Sequence, residues 1–319
     1  QHRRDDPRSG WISGLDPELA EEHPTRGGLR IGKDLPERKS GEPLDPHLEW
    51  ERDGQYYHYL TKWMQVLNRV SCVVGNRTYN RWAMELAQTA HDRFTYQPSN
   101  GSRKRMFWKM SIDLSSPLVS SMGQHDPLDG LITYQELQAA APRKAAWPDL
   151  SEEIEEMEPL CEERRWVTED ALGIGGLLTD AYRLAQLVAR ENIEQSDLLE
   201  QLLDASAQSL RTYTKGMGYE QPLRFRLAFR ELGLVIGLQA AERLEGLLGA
   251  HPESFEDQDR LRMKAETLAR HAPLKERIET FWLDDAHRET ESWTEHRNIN
   301  TVMLATSLAP DGYLSICPE

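Results

Sequence analysis

The chain is short of cysteine, of basic charge and of long apolar runs. Its 319 residues contain only three cysteines, Cys72, Cys161 and Cys317. They are odd in number and far apart, without C-x-x-C or zinc-type spacing, which excludes a disulfide-dense scaffold and a zinc module. Read alone, they are the reduced thiols of a cytoplasmic protein. Lys and Arg number 38 against 53 Asp and Glu, for a net charge of -15 and a pI near 5.2. Nucleic acid and anionic membranes both call for a basic footprint, so neither is expected as a partner. No apolar stretch reaches the roughly 20 residues that span a bilayer. The chain opens at Gln1 without a methionine and reads as processed or as lacking its N-terminus. No signal-peptide pattern is visible, although a removed one leaves no trace.

What is present suffices for a sizeable core. Hydrophobic residues make up 39% and charged ones 29%, within the range of soluble domains and enough for one large domain or two ordinary ones. Residues 1–48 are rich in Gly, Pro and charge and read as an extended arm wrapped over a larger body, 49–319. Only Leu29 and Ile31 hint at a strand. Helical periodicity dominates from there. Gln55–Ser71 carries an apolar stripe of Tyr56, Leu60, Trp63, Leu67 and Val70, with His58, Lys62, Gln65 and Arg69 on a second stripe. Gly75-Asn76 turns the chain into Arg77–Phe94, whose apolar face is Tyr79, Ala83, Leu86 and Ala90. The short connection predicts an antiparallel hairpin. Further helices are expected over Pro127–Ala141, Ser151–Arg165, Asp170–Glu191, Ser196–Lys215, Pro222–Leu248, Ser254–His271, Pro273–Asp284 and Asn300–Leu308. Ser151, Ser196 and Ser254 serve as starts, and Gly216, Gly249 and Pro273 as stops. No fixed-length repeat is present.

The segment Arg105–Gly130 departs from this pattern. Met106, Trp108, Met110, Ile112 and Leu114 alternate with Phe107, Lys109, Ser111 and Asp113, the period of a strand with one buried face. A Ser- and Gly-rich run leads into Gln124, His125, Asp126 and Asp129 at a helix start. Polar residues gathered on irregular backbone within a helical scaffold mark a place to look for a site.

Four constellations could carry chemistry. In Trp50–Tyr59, Asp53 stands where an N-cap belongs, and Trp50, Gln55, Tyr57 and His58 could stack on and bind a sugar. The plain alternative is a capped, aromatic-rich helix. In Gly123–Gly130, Asp126 reads as an N-cap, Pro127 as the first helical residue and Asp129 as a first-turn carboxylate. His125 and Gln124 are not explained that way, and a histidine there suits a base or a hydroxyl ligand. In Trp108–Asp113, Lys109, Ser111 and Asp113 share a face, as a salt bridge or as a pocket lining. In Trp293–Asn300, His296 sits in what is otherwise a polar loop with Asn caps. Two weaker signals are set aside. Gly173-Ile174-Gly175-Gly176 follows no strand and reads as close helix packing, not a dinucleotide loop. His58 with His91-Asp92 imitates the ligand order of helical metal phosphohydrolases, but the remaining ligands are not identifiable.

With D-G-Q-Y-Y-H-Y-L-T-K-W-M, W-K-M-S-I-D and M-G-Q-H-D-P-L-D-G in view, the chain resembles the six-hairpin, (α/α)6-toroid sugar enzymes, a superfamily that includes glycoside hydrolases and N-acylglucosamine 2-epimerases. The resemblance covers about Trp50 to Pro310 and also extends to uncharacterised bacterial proteins. It implies an all-α toroid of helical hairpins, to which the residues themselves add the extended N-terminal arm and the short extended segment near 105–114. About ten of the roughly twelve helices of a full ring are visible, so the ring is expected to be incomplete or to lack a helix before Gln1. The leading expectation is a glycoside hydrolase acting through paired carboxylates, drawn from Asp53, Asp113 and Asp126 with His125 assisting. Trp50, Gln55, Tyr57, His58, Trp108, Lys109, Gln124, Asp129 and His296 would bind a saccharide or glycoside. The alternatives are an epimerase moving a proton through His58, His125 or His296, and a non-catalytic saccharide-binding or interaction protein. No metal or other cofactor is implied.

Overall fold

The computed structural model describes residues 1–2, 4, 6–39, 41–99, 101, 103–142, 147–162, 164–191, 193, 195–216 and 218–317. Regular structure is predominantly helical. The chain divides into two compact units, residues 1–164 with 317–319, and residues 165–316.

In the first unit, α1 (Pro17–Glu22) and α2 (Pro46–Glu51) start behind Asp16 and Asp45, whose carboxylates accept backbone N–H groups of the first turn. Two-residue β1 (Gln55–Tyr56) leads into α3 (Tyr57–Val74), and α4 (Thr78–Phe94) follows. Gly75 closes α3 with φ of 66°, the left-handed end that glycine adopts without strain. Beyond α4 come β2 (Thr95–Tyr96), β3 (Arg105–Met106), β4 (Lys109–Met110) and β5 (Pro117–Val119). β1, β4 and β5 form one antiparallel sheet and β2 and β3 another. Helices α5 (Asp126–Ala139) and α6 (Ser151–Cys161) complete the unit.

The core between α3, α4, α5 and α6 is built from Tyr57, Leu60, Met64, Leu86, Phe94, Ile132, Tyr134 and Met157. The buried line of α3 is therefore not the stripe expected from hydropathy. Trp63 is 51% exposed, while Thr61, Asn68 and Ser71 are buried. The reason is polar pairing. Asn80 of α4 donates to Asn68 and to the Leu137 carbonyl and accepts from Trp147 Nε1, tying α3, α4 and α5 together. The 109–112 stretch also differs from the expected one-sided strand, because Lys109 and Ser111 are buried along with Met110 and Ile112.

The N-terminal arm wraps this unit. Thr25 donates to the Trp82 carbonyl, His23 bonds Glu85 at 2.7 Å, and Trp82 donates to the Glu22 carbonyl. Leu29 and Ile31 form no strand. The Ile31 N–H bonds the Gly54 carbonyl, and the Leu29 N–H bonds the Gln55 side chain.

The cysteine reading needs correcting. Cys72 and Cys317 form a disulfide with Cα atoms 6.0 Å apart, while Cys161 is a buried thiol. Spacing of 245 residues gave no hint of this, because only folding brings the two positions together.

The second unit contains α7 (Ala171–Glu191), α8 (Ser196–Lys215), α9 (Ala228–Ala250), α10 (Gln258–Ala269), α11 (Ala272–Leu283), α12 (Asp285–Arg288), α13 (Glu291–Thr294), α14 (Arg297–Leu308) and α15 (Asp311–Leu314). Helix α9 starts at Ala228, six residues later than expected from Pro222, since Leu223–Phe225 forms a 3-10 turn first. Its centre is the α7–α9 crossing. A Cβ on Gly175 would lie 2.1 Å from the Gly233 carbonyl oxygen, and one on Gly237 would lie 2.6 Å from the Gly175 Cα. The glycines at 173–176 thus include one that serves close helix packing, as expected. Arg226 and Glu231 form a buried bidentate pair at 2.8 and 2.6 Å. Trp282 Nε1 donates to the same carboxylate, and the guanidinium lies 3.6 Å from the Phe281 ring centroid.

Gly175→Ala should destabilise the protein by about 1–3 kcal/mol, the cost of overpacking against backbone that cannot yield; urea denaturation measures it, and an unchanged midpoint would refute the close crossing. Thiol titration of unfolded, unreduced protein should find Cys161 reactive and Cys72 and Cys317 protected until a reductant is added.

Candidate functional site

The residues singled out by sequence fall into three groups. Asp53, Gln55, Lys109 and Asp113 serve the framework. Asp53 is fully buried; Oδ2 pairs with Arg30 at 2.6 Å and Oδ1 accepts from the Gly32 and Gly54 N–H groups. It does not cap a helix. Gln55 is equally buried, donating to the Gly27 and Ile112 carbonyls and accepting from the Leu29 N–H. Lys109 donates to the Glu49 and Arg52 carbonyls, satisfying orphan acceptors at the end of α2. Burial lowers its pKa to about 8. It does not pair with Asp113, whose carboxylate accepts from Arg8, Ser111 and Ser115. Burial pushes the Asp113 pKa up, but the two serine hydroxyls, the Ser115 N–H and Arg8 outweigh it and hold it at about 2.

His296 lies in the second unit. It is exposed, precedes α14 and stands edge-on to Phe229 at 5.5 Å. The polar density around it is structural, since buried Asn300 donates to the Trp293 carbonyl and accepts from the Phe229 N–H.

The third group comes together on α3 and α5. Asp129 is buried and accepts from Thr61 at 2.5 Å, Lys62 at 3.0 Å and Gln65 at 3.1 Å. Three donors, one of them an ammonium, suit a carboxylate anion. Asp126 lies one helical turn earlier, so the two residues share a face with Cβ atoms about 5–6 Å apart. It is only 8% exposed, and its Oδ2 has no hydrogen-bond partner. Burial first, then the Asp129 charge, raise its pKa to about 7 against a hydrogen bond from the Gly123 backbone. The expected capping role is not what it does. Helix α5 begins one residue earlier, with His125 in the cap position and its carbonyl accepting from the Asp129 N–H. Asp126 is thus the first helical residue, and its carboxyl folds back on Gly123.

His58, on the first turn of α3, is neutral at pH 7: burial lowers its pKa to about 4 against the pull of Asp129. Its Nδ1 accepts from Trp108 Nε1 at 3.4 Å, which places the imidazole proton on Nε2. Trp108 packs edge-on against Trp50 at 4.7 Å, and Tyr56, His58 and Tyr59 continue the aromatic cluster. Trp50 and Tyr59 remain 48% and 40% exposed. Tyr57 turns the other way, into the core, where its hydroxyl donates to Tyr134 at 2.8 Å. Gln124 is exposed and His125 half-buried, and Arg164 donates to the Gln124 carbonyl.

Sequence reasoning placed Lys62 and Gln65 on a polar stripe without giving them a site role, and did not single out Thr61 or Arg164. Lys62 and Gln65 were legible in part, as polar residues on α3 at helical spacing. Among the described residues, no group of three His, Cys, Asp or Glu side chains is placed to hold a metal ion. Comparison with protein-family models, curated proteins and solved structures returns no significant match.

Asp126 and His58 have opposite linkage to pH. A carboxyl whose folded pKa is raised stabilises the protein below its unfolded value near 4 and loses that contribution as pH rises through about 7. A histidine whose folded pKa is lowered contributes above its unfolded value near 6.5 and loses the contribution as pH falls to about 4. Asp126→Asn should therefore remove a loss of stability on the order of 4 kcal/mol between about pH 4 and 7. The variant's stability should instead rise with pH across that window. Denaturation midpoints at several pH values test this, and parallel profiles for parent and variant would rule out a buried, proton-holding Asp126.

Proposed function

We propose that the α3–α5 face of the first unit is the acid/base site of a glycoside hydrolase. The observation that carries the reading is the Asp126/Asp129 pair. One carboxyl keeps its proton near neutral pH and has an unpartnered oxygen, while the other is held as an anion by Lys62, Gln65 and Thr61. A glycosidase needs that division of labour. Asp126 delivers its proton to the glycosidic oxygen as the bond to the anomeric carbon breaks, and water adds its hydroxyl to that carbon while its remaining proton restores the Asp126 carboxyl. Asp129 sustains the raised pKa of Asp126 and stabilises positive charge developing on the sugar. Exposed Trp50 and Tyr59 offer faces for pyranose C–H surfaces, and His58 offers an Nε2–H to a hydroxyl.

The carboxylate pairing thereby moves from Asp53 and Asp113 to Asp126 and Asp129, because the first two are consumed by the arm. The epimerase alternative gains less support. With Nδ1 accepting from Trp108, neutral His58 is a donor and not a base. The toroid implied by the resemblance belongs to the same proposal. Its support is that α3 with α4, α5 with α6, and α7 with α8 pack as neighbouring pairs. The Cys72–Cys317 bridge favours an oxidising compartment over the cytoplasm as the place of action.

Hydrolysis of a mixed oligosaccharide panel tests the reading. Turnover should fall as pH rises through about 7, where Asp126 loses its proton. Asp126→Asn should lower it by about 100-fold or more, the scale of a lost general acid, with folding retained. Saccharide binding without hydrolysis would point to a binding module, and neither activity would end the carbohydrate reading.

A further inference from the structure

Helix α3 carries a second surface, on its solvent side. Trp63, Val66, Val70 and Val73 follow one another at intervals of three, four and three residues, the heptad spacing of a coiled-coil seam. Trp63, Val66, Val73 and the adjoining Val74 are each more than half exposed, and Val70 is half-buried. The Asn68–Asn80 bond is the cause, since it turns polar side chains inward and leaves this row outside. Apolar residues scattered singly on a surface are ordinary, but a contiguous row on the order of 400 Å² marks a contact surface.

The charge along this row is opposite in sign to that of the chain. Asp and Glu number 53 in the whole sequence, yet none falls between Tyr57 and Arg77. Arg69 flanks the row between Val66 and Val73, and Arg77 stands just past its end. Arg77 donates to the Ala140 carbonyl, a neutral acceptor, and the Nε of Arg69 has no hydrogen-bond partner. Among the described residues neither guanidinium pairs with a carboxylate. Lys62, on the same flank as Arg69, is taken up by Asp129.

Spacing and charge together select the occupant. Knobs at 3.5-residue intervals fit the holes of another helix. Cations beside the seam call for acidic flanks on that helix. A second copy fits less well, because two α3 faces would set cations against cations. The row also offers about half of the roughly 800 Å² per partner that a stable dimer buries. An anionic membrane is opposed by the net charge of -15.

We propose that this face of α3 docks an acidic amphipathic helix of another protein. The apolar a and d side chains of that helix pack between Trp63, Val66, Val70 and Val73. Asp or Glu beside its seam pairs with Arg69 and Arg77. Trp63 is the anchor, since a large aromatic ring desolvated at the centre of a contact carries much of its binding energy. The interface draws on neither Asp126 nor Asp129.

Fluorescence anisotropy of a labelled three-heptad peptide, with Leu at a and d and Glu at e and g, titrated with the full chain tests this. A Kd below about 100 μM is expected at low ionic strength, weakening as salt is added. The same peptide with Lys at e and g should bind at least about tenfold more weakly. Val66→Ser with Val73→Ser, both at exposed positions, should weaken the Glu peptide by about tenfold or more. Arg69→Glu should weaken the Glu peptide and strengthen the Lys peptide, a reversal that a loss of folding cannot produce. The proposal is overturned if no saturable binding appears, if the two peptides bind alike, if the valine variant binds like the parent, or if Arg69→Glu leaves the preference unchanged. It is equally overturned if the chain sediments as a dimer that the valine variant splits, or if phosphatidylserine vesicles bind the parent and displace the Glu peptide.

Discussion

The Asp53-Gly54-Gln55 step is where the first unit is fastened. Asp53 and Gln55 are fully buried, and between them their side chains bond Arg30, Gly32, Gly27, Leu29 and Ile112. Gly54 has φ of +153°, and a Cβ there would meet Lys109 Cε and the Met110 carbonyl oxygen at 2.8 Å. No other residue could pass the chain through that gap. The step seats the arm on β1 and brings β4 alongside it, and Lys109 can then close off α2. It also determines where α3 begins, and with it the positions of His58, Thr61, Lys62 and Gln65. The polar face of α3 depends on a hydrogen-bonded seam that takes no part in chemistry itself.

Electrostatics on that face follow from burial acting on two carboxyls in different company. Asp129 has three donors and can carry its charge. Asp126 has the Gly123 backbone and little else, with Asp129 nearby, so its proton is held to about pH 7. Side chains one turn apart on a single helix therefore differ in protonation because of what α3 and the 123–125 turn present to each. His58 is governed by the same burial with the opposite sign.

In the second unit the organising contact is steric. Gly175, Gly233 and Gly237 let α7 and α9 meet backbone to backbone. The buried Arg226–Glu231 pair is affordable because Trp282 and Phe281 complete its surroundings. Removing one partner would leave an uncompensated buried charge, a far larger penalty than the pair's own contribution.

Local chemistry was legible in the sequence where it depended on near neighbours. The longer helices, α3 to α11 and α14, the Gly75 turn, the Gly216 stop, and, within one residue, the Asp126–Pro127–Asp129 helix start were readable from periodicity and backbone preference, whereas the short α1, α2, α12, α13 and α15 were not. So was the concentration of polar residues at Gly123–Gly130. The partners were not legible. Asp53 resembles a helix cap in the sequence, and only the arm's Arg30 makes it a fastener. Lys109 and Asp113 look like an ion pair at strand spacing, yet the fold gives each a different partner. The apolar stripe on α3 pointed Trp63 inward, but the Asn68–Asn80 bond turned the helix to bury polar side chains in its place. Cys72 and Cys317 give no sign of one another over 245 residues. Sequence alone determined which long segments are helical and where carboxyls and rings gather, because those follow from bonds and contacts within a few residues. Tertiary structure decided which carboxyl keeps its proton, which polar groups are consumed by the framework and which cysteines pair, because burial and long-range contact exist only once the chain has folded.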